Sequence, residues 1–259
     1  MKKTIIGLLI LAIIVGACTQ GIISPEAKIA KFKSEYDQCG IEHNKELSDL
    51  YQRFENSDVV LTKKAAKDII DDHFALNTSI KNRDIASEIS NLVINSHSLA
   101  KMNVNSDIMD LLSDSLTVYS RYPAVFDSMS SILDEEITLE EKTDKLEHIY
   151  LLVNQVCEDP DDKSALMNGV STSIHSLNYW DESYYEWQLA LNPDLGKTSA
   201  ISIIGAFAII DGAGAVLGTL EGIRDTEKGQ EDRLKVIAGR AIGEAAKTSS
   251  YAALALILI

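Results

Sequence analysis

The chain has 259 residues and carries 39 acidic against 24 basic side chains, a net charge of −15. A chain this acidic is repelled by phosphate backbones, which argues against nucleic acid as a partner. Its length is ample for one large domain or two modest domains with a real core.

The first eighteen residues have the layout of a bacterial export signal. Two lysines precede an apolar run over residues 5–15, which is shorter than the roughly 20 residues of a bilayer span. Two small residues then stand directly before Cys18, which is the lipobox pattern. We therefore predict a signal peptide at residues 1–17 and a lipid on Cys18, with residues 18–23 as a tether to a lipid bilayer. A plain cleaved signal and an uncleaved anchor are the alternatives.

Removal of that signal would leave 242 residues of net charge −17 and two further cysteines, Cys39 and Cys157. In an oxidising compartment such a pair is compatible with a disulfide. It is equally compatible with two buried free thiols, because the sequence does not give the distance between them.

The distribution of glycine divides the rest of the chain in two. Residues 41–195 contain a single glycine, whereas residues 196–243 contain nine of the fourteen. A many-stranded sheet needs more turn residues than the first region offers, so we predict an α-helical domain at residues 24–195. The predicted fold class is all-α, a bundle of amphipathic helices followed by a glycine-zipper helical hairpin.

Helical periodicity and capping residues place the elements of this domain. Ser24 followed by Pro25 is an N-cap with proline at the first helical position, and Thr138 with Glu141 forms a capping box. The predicted helices cover residues 24–38 with Gly40 as the stop, then 42–54, 62–74, 84–97, 106–119, 124–133, 138–156, 161–177 and 182–191.

The last part of the chain, residues 196–259, has the pattern of an antiparallel helical hairpin. Residues 200–220 are as long as a membrane span and contain one charged residue, Asp211. Small residues recur every fourth position, which lets two helix backbones approach closely. The glycines predicted to pack the two helices are Gly214, Gly218, Gly222, Gly239 and Gly243.

A turn centred on Gly229 sets a testable register for this hairpin. It pairs Gly218 with Arg240, Gly214 with Glu244 and Asp211 with Lys247. A lone carboxylate at the centre of a bilayer costs about 2.5 to 3.5 kcal/mol, so Asp211 would need either a partner or a proton there. Asp211 and Lys247 are therefore a candidate buried ion pair.

Both tryptophans stand just upstream of the hairpin, in residues 178–187. Tyr and Trp favour the water–lipid boundary, so this segment could be a collar at a membrane. We favour a core role for Trp180, Tyr184 and Trp187, which recur at helical spacing.

The chain lacks the motifs that identify an enzyme. Its five histidines are spread one to a helix, without HExxH, CxxC or GxSxG patterns. The Asp211 to Gly214 segment has no preceding strand and no GK[ST], so it is not a phosphate loop. We therefore predict no catalytic residues, no metal site and no cofactor.

Three features together resemble predicted lipoproteins of the Bacteroidota. These are the lipobox ending at Cys18, the segment at residues 39–44, and the aromatic segment that begins at Asn178 and precedes the zipper. The resemblance implies an outer-membrane lipoprotein. In that group an acidic cluster after the lipid site often accompanies surface display, and its absence from residues 19–23 favours the periplasmic face. The zipper alone also resembles membrane-active bacteriocin segments.

Two functions follow as expectations. The first is a membrane-anchored, non-catalytic structural or interaction module, whose tail packs on the domain, on a second copy or partner protein, or in the membrane. The alternative is a membrane-active, pore-forming effector in which the domain shields the hairpin. An enzyme assembled from scattered residues is the least supported class.

Overall fold

The computed structural model describes residues 23–57, 62–75, 117–192, 201–227 and 229–257. Cys18 and its signal, the helix predicted at 84–97 and most of that at 106–119 lie outside the described residues. Within them 88% of residues are helical and no strand occurs, so the all-α prediction is confirmed.

Eight helices are present in these ranges. They are α1 (Pro25–Glu55), α2 (Lys63–Ala75), α3 (Thr117–Arg121), α4 (Pro123–Asp134), α5 (Leu139–Val156), α6 (Pro160–Leu191), α7 (Ile201–Arg224) and α8 (Arg233–Ile257).

Local capping chemistry explains where several of them begin. Ser24 Oγ accepts the backbone N–H of Ala27, and Thr138 forms the predicted capping box with Glu141. The N-cap of α6 is Asp159, whose carboxylate accepts two backbone N–H groups of the first turn. The prediction of Asp161 or Asp162 as the first residue was therefore late by one or two positions.

Two predicted breaks are wrong, because α1 and α6 are each continuous. Gly40 was expected to end a helix, but it lies in the middle of α1, where a Cβ would collide with the ring of His175. A glycine inside a helix costs only about 1 kcal/mol relative to alanine, which this close contact between α1 and α6 offsets. The helix α6 continues through the predicted gap at residues 178–181, where the side chain of Trp180 is fully buried in the core.

The long helix α6 lies at the centre, packed against α1, α5 and α7, while α8 packs on α7 and α1. The helices α1, α6 and α8 run in the same direction. We call one end of the domain the turn end, where Arg233 lies 4.0 Å from Asp161 at the start of α6. At the opposite end, the far end, Asn192 Nδ2 donates to the carbonyl of Ile257 at 3.3 Å.

Candidate functional site: the buried hairpin

The hairpin predicted from the glycine pattern is formed by α7 and α8. The chain reverses between them at Gly229, which has a positive φ of 95°. Ile203–Arg224 of α7 is long and apolar enough to cross a membrane, with a mean hydropathy of 1.9, yet 83% of that window is buried inside the protein. In this structure the apolar helix is therefore a core helix.

The first three zipper glycines lie where the two helices touch. A Cβ on Gly214 would stand 2.8 Å from the Cα of Ala245, and one on Gly222 would stand 2.7 Å from the Cα of Ile237. A Cβ on Gly218 would overlap the backbone carbonyl of Arg240. Real Cβ atoms do not approach backbone this closely, so these positions hold the helices at a distance that only glycine permits.

Gly239 and Gly243 were also predicted to pack the two helices, and the structure contradicts this. A Cβ on either would meet no atom within 4 Å. They line a groove of about 360 Å³ between α8 and α1, whose other wall carries Glu42 and Glu46. The predicted spacing was regular, but these two glycines lie on the side of α8 that faces the groove rather than α7.

A second close contact, between α6 and α7, was not predicted. A Cβ on Gly212 would stand 2.9 Å from the carbonyl oxygen of Gly169, and one on Gly169 would stand 2.9 Å from that of Gly212. Ser173 Oγ donates to the carbonyl of Ala208 at 2.8 Å beside this contact. Close glycine contacts therefore join α7 to α6, in addition to those that join α7 to α8 within the hairpin.

Asp211 is fully buried, but the predicted ion pair with Lys247 is absent. Its Oδ2 accepts hydrogen bonds from Ser176 Oγ at 2.5 Å, Ser249 Oγ at 2.9 Å and Trp180 Nε1 at 3.3 Å. The hairpin register differs from the expected one by up to two residues, which brings Ser249 rather than Lys247 opposite the carboxylate. The donors come from α6 and α8, so Asp211 links both helices to α7.

The fourth polar side chain beside the Asp211 carboxylate is His43 on α1, which sequence analysis assigned to no site. Its Nε2 lies 3.3 Å from Asp211 Oδ2, and both side chains have no solvent exposure. Asn44 Nδ2 donates to the carbonyl of His175, so its Oδ1 faces His43 and must accept from Nδ1 at 2.9 Å. The ring is thereby oriented with Nε2 toward the carboxylate. Four helices meet at this polar centre, which we call the Asp211 centre.

The Asp211 centre contains serine, histidine and aspartate without the contacts of a hydrolase. Ser176 donates to the carboxylate rather than to His43, so no base is placed to activate the hydroxyl. All three side chains are also buried. Across the described ranges, no three His, Cys, Asp or Glu side chains gather in a way that could hold a metal ion.

The two cysteines are buried free thiols, so the disulfide alternative is wrong in this structure. Cys39 lies in the middle of α1 and accepts from Thr172 Oγ1 at 3.4 Å, whereas Cys157 follows α5 and donates to the carbonyl of Asp159. Burial raises the pKa of the Cys39 thiol to about 11.

The aromatic segment belongs to the core, as favoured from its spacing. Trp180, Tyr184 and Trp187 are each no more than 3% exposed. Trp180 stacks on Phe207 of α7, with ring centroids 3.9 Å apart. These rings fix α6 against the hairpin and are not available as a membrane collar.

Comparison of the chain with models of known protein families, with curated proteins and with solved structures finds no match. The class of molecule therefore follows from its own geometry. It is an all-α domain in which an apolar helical hairpin packs against the other helices, chiefly α6 and α1.

Proposed function

We propose that the protein is a membrane-anchored bacterial lipoprotein, held by an acyl group on Cys18, whose helical domain is a non-catalytic structural or interaction module. The hairpin serves as the core of that domain and not as a second anchor. The outer membrane, periplasmic face, is the location that the export signal and the resemblance to Bacteroidota lipoproteins favour.

One observation carries the core role of the hairpin, namely that Asp211, the only charged residue at positions 201–220 of α7, has its polar partners within the chain. Asp211 has three hydrogen-bond donors and a histidine supplied by α1, α6 and α8. Insertion into a bilayer would require breaking these contacts and placing the carboxylate in hydrocarbon. The sequence therefore provides polar partners for Asp211 when the hairpin is packed in the domain.

Acylation is tested by the mass of the amino-terminal peptide of the protein made in its own host or in another Gram-negative bacterium. We expect a mature chain that begins at Cys18 and carries diacylglycerol, and we expect Cys18→Ala to lose it. An unmodified amino terminus in the parent protein would contradict the proposal.

A second candidate is the membrane-active effector, favoured by the length and hydropathy of Ile203–Arg224. In that case the surrounding helices would shield α7 until a trigger releases it. Dye leakage from liposomes with the whole Cys18→Ala chain separates the two functions. Gly218→Leu, which forces the hairpin apart, should cause leakage only if the effector function is correct, and Gly239→Leu is the matched control.

A further inference from the structure

The attachment point of the tether coincides with one particular end of the domain. Tyr36 on α1 lies beside Ser164 near the start of α6, and α1 extends about 18 Å further toward its own N-cap at Ser24. The tether therefore leaves from the turn end. Because Ser24 comes six positions after Cys18, the lipid can lie no more than about 20 Å from Ser24.

The far end lies farther from Ser24 than the tether is long. Helix α6 has 32 residues and connects the two ends, which corresponds to about 48 Å. The tether is less than half as long as this helix, so the turn end stays near the bilayer in every orientation that the tether allows.

A second observation points to the same end. Among the described residues, the two most exposed large apolar side chains are Leu234, 80% exposed on the first turn of α8, and Ile23, 57% exposed just before α1. Val156, which is 37% exposed, ends α5 beside the start of α6. Apolar side chains at a membrane-facing end can enter the headgroup region, whereas in water they gain nothing.

We propose that the turn end is a lipid-facing surface, in which Leu234 and Ile23 contact the headgroup region of the bilayer. This inference rests on the proposed acylation of Cys18. The far end, with Tyr185 and Leu189 on the last turns of α6, then points toward the aqueous space.

The charges of this surface identify the kind of lipid that it fits. Exposed acids cluster in the hairpin turn, at Asp225, Glu227, Glu231 and Asp232, and exposed bases are also present, at Lys28, Lys31 and Arg224. An anionic bilayer would repel the acids, whereas zwitterionic headgroups offer an ammonium group to them and a phosphate to the bases. The surface therefore suits zwitterionic lipid such as phosphatidylethanolamine.

The test uses the acylated full chain in vesicles of phosphatidylethanolamine and phosphatidylcholine. A fluorophore is placed at Leu234→Cys or, as the far-end comparison, at Tyr185→Cys; the native thiols are buried and stay unlabelled. With a headgroup-linked nitroxide lipid as quencher, we expect several-fold stronger quenching at position 234. Equal or stronger quenching at position 185 would overturn the inference.

A second pair of variants tests the apolar contact itself, with the fluorophore at Gln230→Cys. Leu234→Asp should reduce quenching, and Leu189→Asp, the matched change at the far end, should leave it unchanged. Equal effects of the two substitutions would overturn the contact. Vesicle flotation distinguishes failure of this inference from failure of the proposed function. A parent chain that does not float with vesicles lacks the lipid anchor. A chain that floats but shows the wrong quenching pattern has the anchor but not the proposed lipid-facing surface.

Discussion

His43 Nε2 lies 3.3 Å from Asp211 Oδ2, and neither side chain is reached by solvent. The two atoms are in polar contact, but the geometry is not that of a hydrogen bond. The contact joins α1 to the hairpin, and the Ser176 and Ser249 hydroxyls complete the shell round the carboxylate. Since burial makes unpaired charge costly, the packing of all four helices depends on this centre.

Replacing Asp211 with alanine should strongly destabilise the fold. The change leaves the buried Ser176 and Ser249 hydroxyls without their acceptor, and each buried donor left unsatisfied costs about 1–3 kcal/mol. The free energy of unfolding from urea titration of the Cys18→Ala chain measures this. The matched change Asp181→Ala removes an exposed carboxylate on α6 and should alter stability by no more than about 0.5 kcal/mol. Equal effects would contradict the role of the Asp211 centre.

Two glycine substitutions should have opposite signs. Gly218→Ala places a Cβ on the Arg240 backbone and should destabilise by about 1–3 kcal/mol, because backbone cannot yield as a side chain can. Gly239→Ala meets nothing within 4 Å and should be neutral or stabilising by up to about 1 kcal/mol, since alanine is the better helix former. The melting temperatures of both variants test this prediction. A similar loss of stability in both would mean that the hairpin register is wrong.

The local signals in the sequence predicted helix positions well and helix ends less well. The capping box at Thr138 was found where expected because its partners are three residues apart. Gly40 was wrongly predicted to end a helix, because its role is to make room for the ring of His175, which lies far along the chain. Local patterns cannot report such a contact.

The hairpin itself was predictable, but the partner of its carboxylate was not. The register placed Gly218 at Arg240 correctly, yet a shift of two residues decides whether Lys247 or Ser249 meets Asp211. His43 comes from a different helix, and nothing in its neighbours indicates a buried acid. A regular pattern of small residues likewise does not show which glycines contact the partner helix and which, like Gly239, line a groove.

Both thiols should be protected from alkylation in the folded protein and accessible to it in the unfolded protein. Cys39 and Cys157 are buried, and the raised pKa of Cys39, about 11, keeps it as the unreactive thiol. Alkylation followed by mass spectrometry should add no label to the native Cys18→Ala chain and two labels in denaturant without reductant. If labelling required a reductant, a disulfide would be present.

Glu221→Gln should stabilise the protein at neutral pH. Burial raises the pKa of this carboxyl, while Arg224 and Arg240 act in the opposite direction. Because the folded state binds the proton more tightly than the unfolded state, stability falls as the pH rises from the unfolded pKa through the folded one. The gain over the parent chain should therefore appear near pH 7 and shrink near pH 4 in urea titrations.

The exposed Glu227 provides the control for this pH dependence. Glu227→Gln should give the same stability difference from the parent at both pH values. A Glu221→Gln variant that loses stability at neutral pH would instead indicate that the pairing with Arg224 outweighs burial.

Membrane extraction tests most directly the claim that the acyl group is the only anchor and that the hairpin is a core element. Membranes from cells that express the parent protein or Cys18→Ala with its signal intact would be washed with alkaline carbonate. We predict that the parent chain stays in the pellet and that Cys18→Ala is released as soluble protein. A Cys18→Ala chain that remains in the pellet after carbonate, yet dissolves in mild detergent as folded protein, would show that the hairpin inserts in the bilayer and would contradict the account.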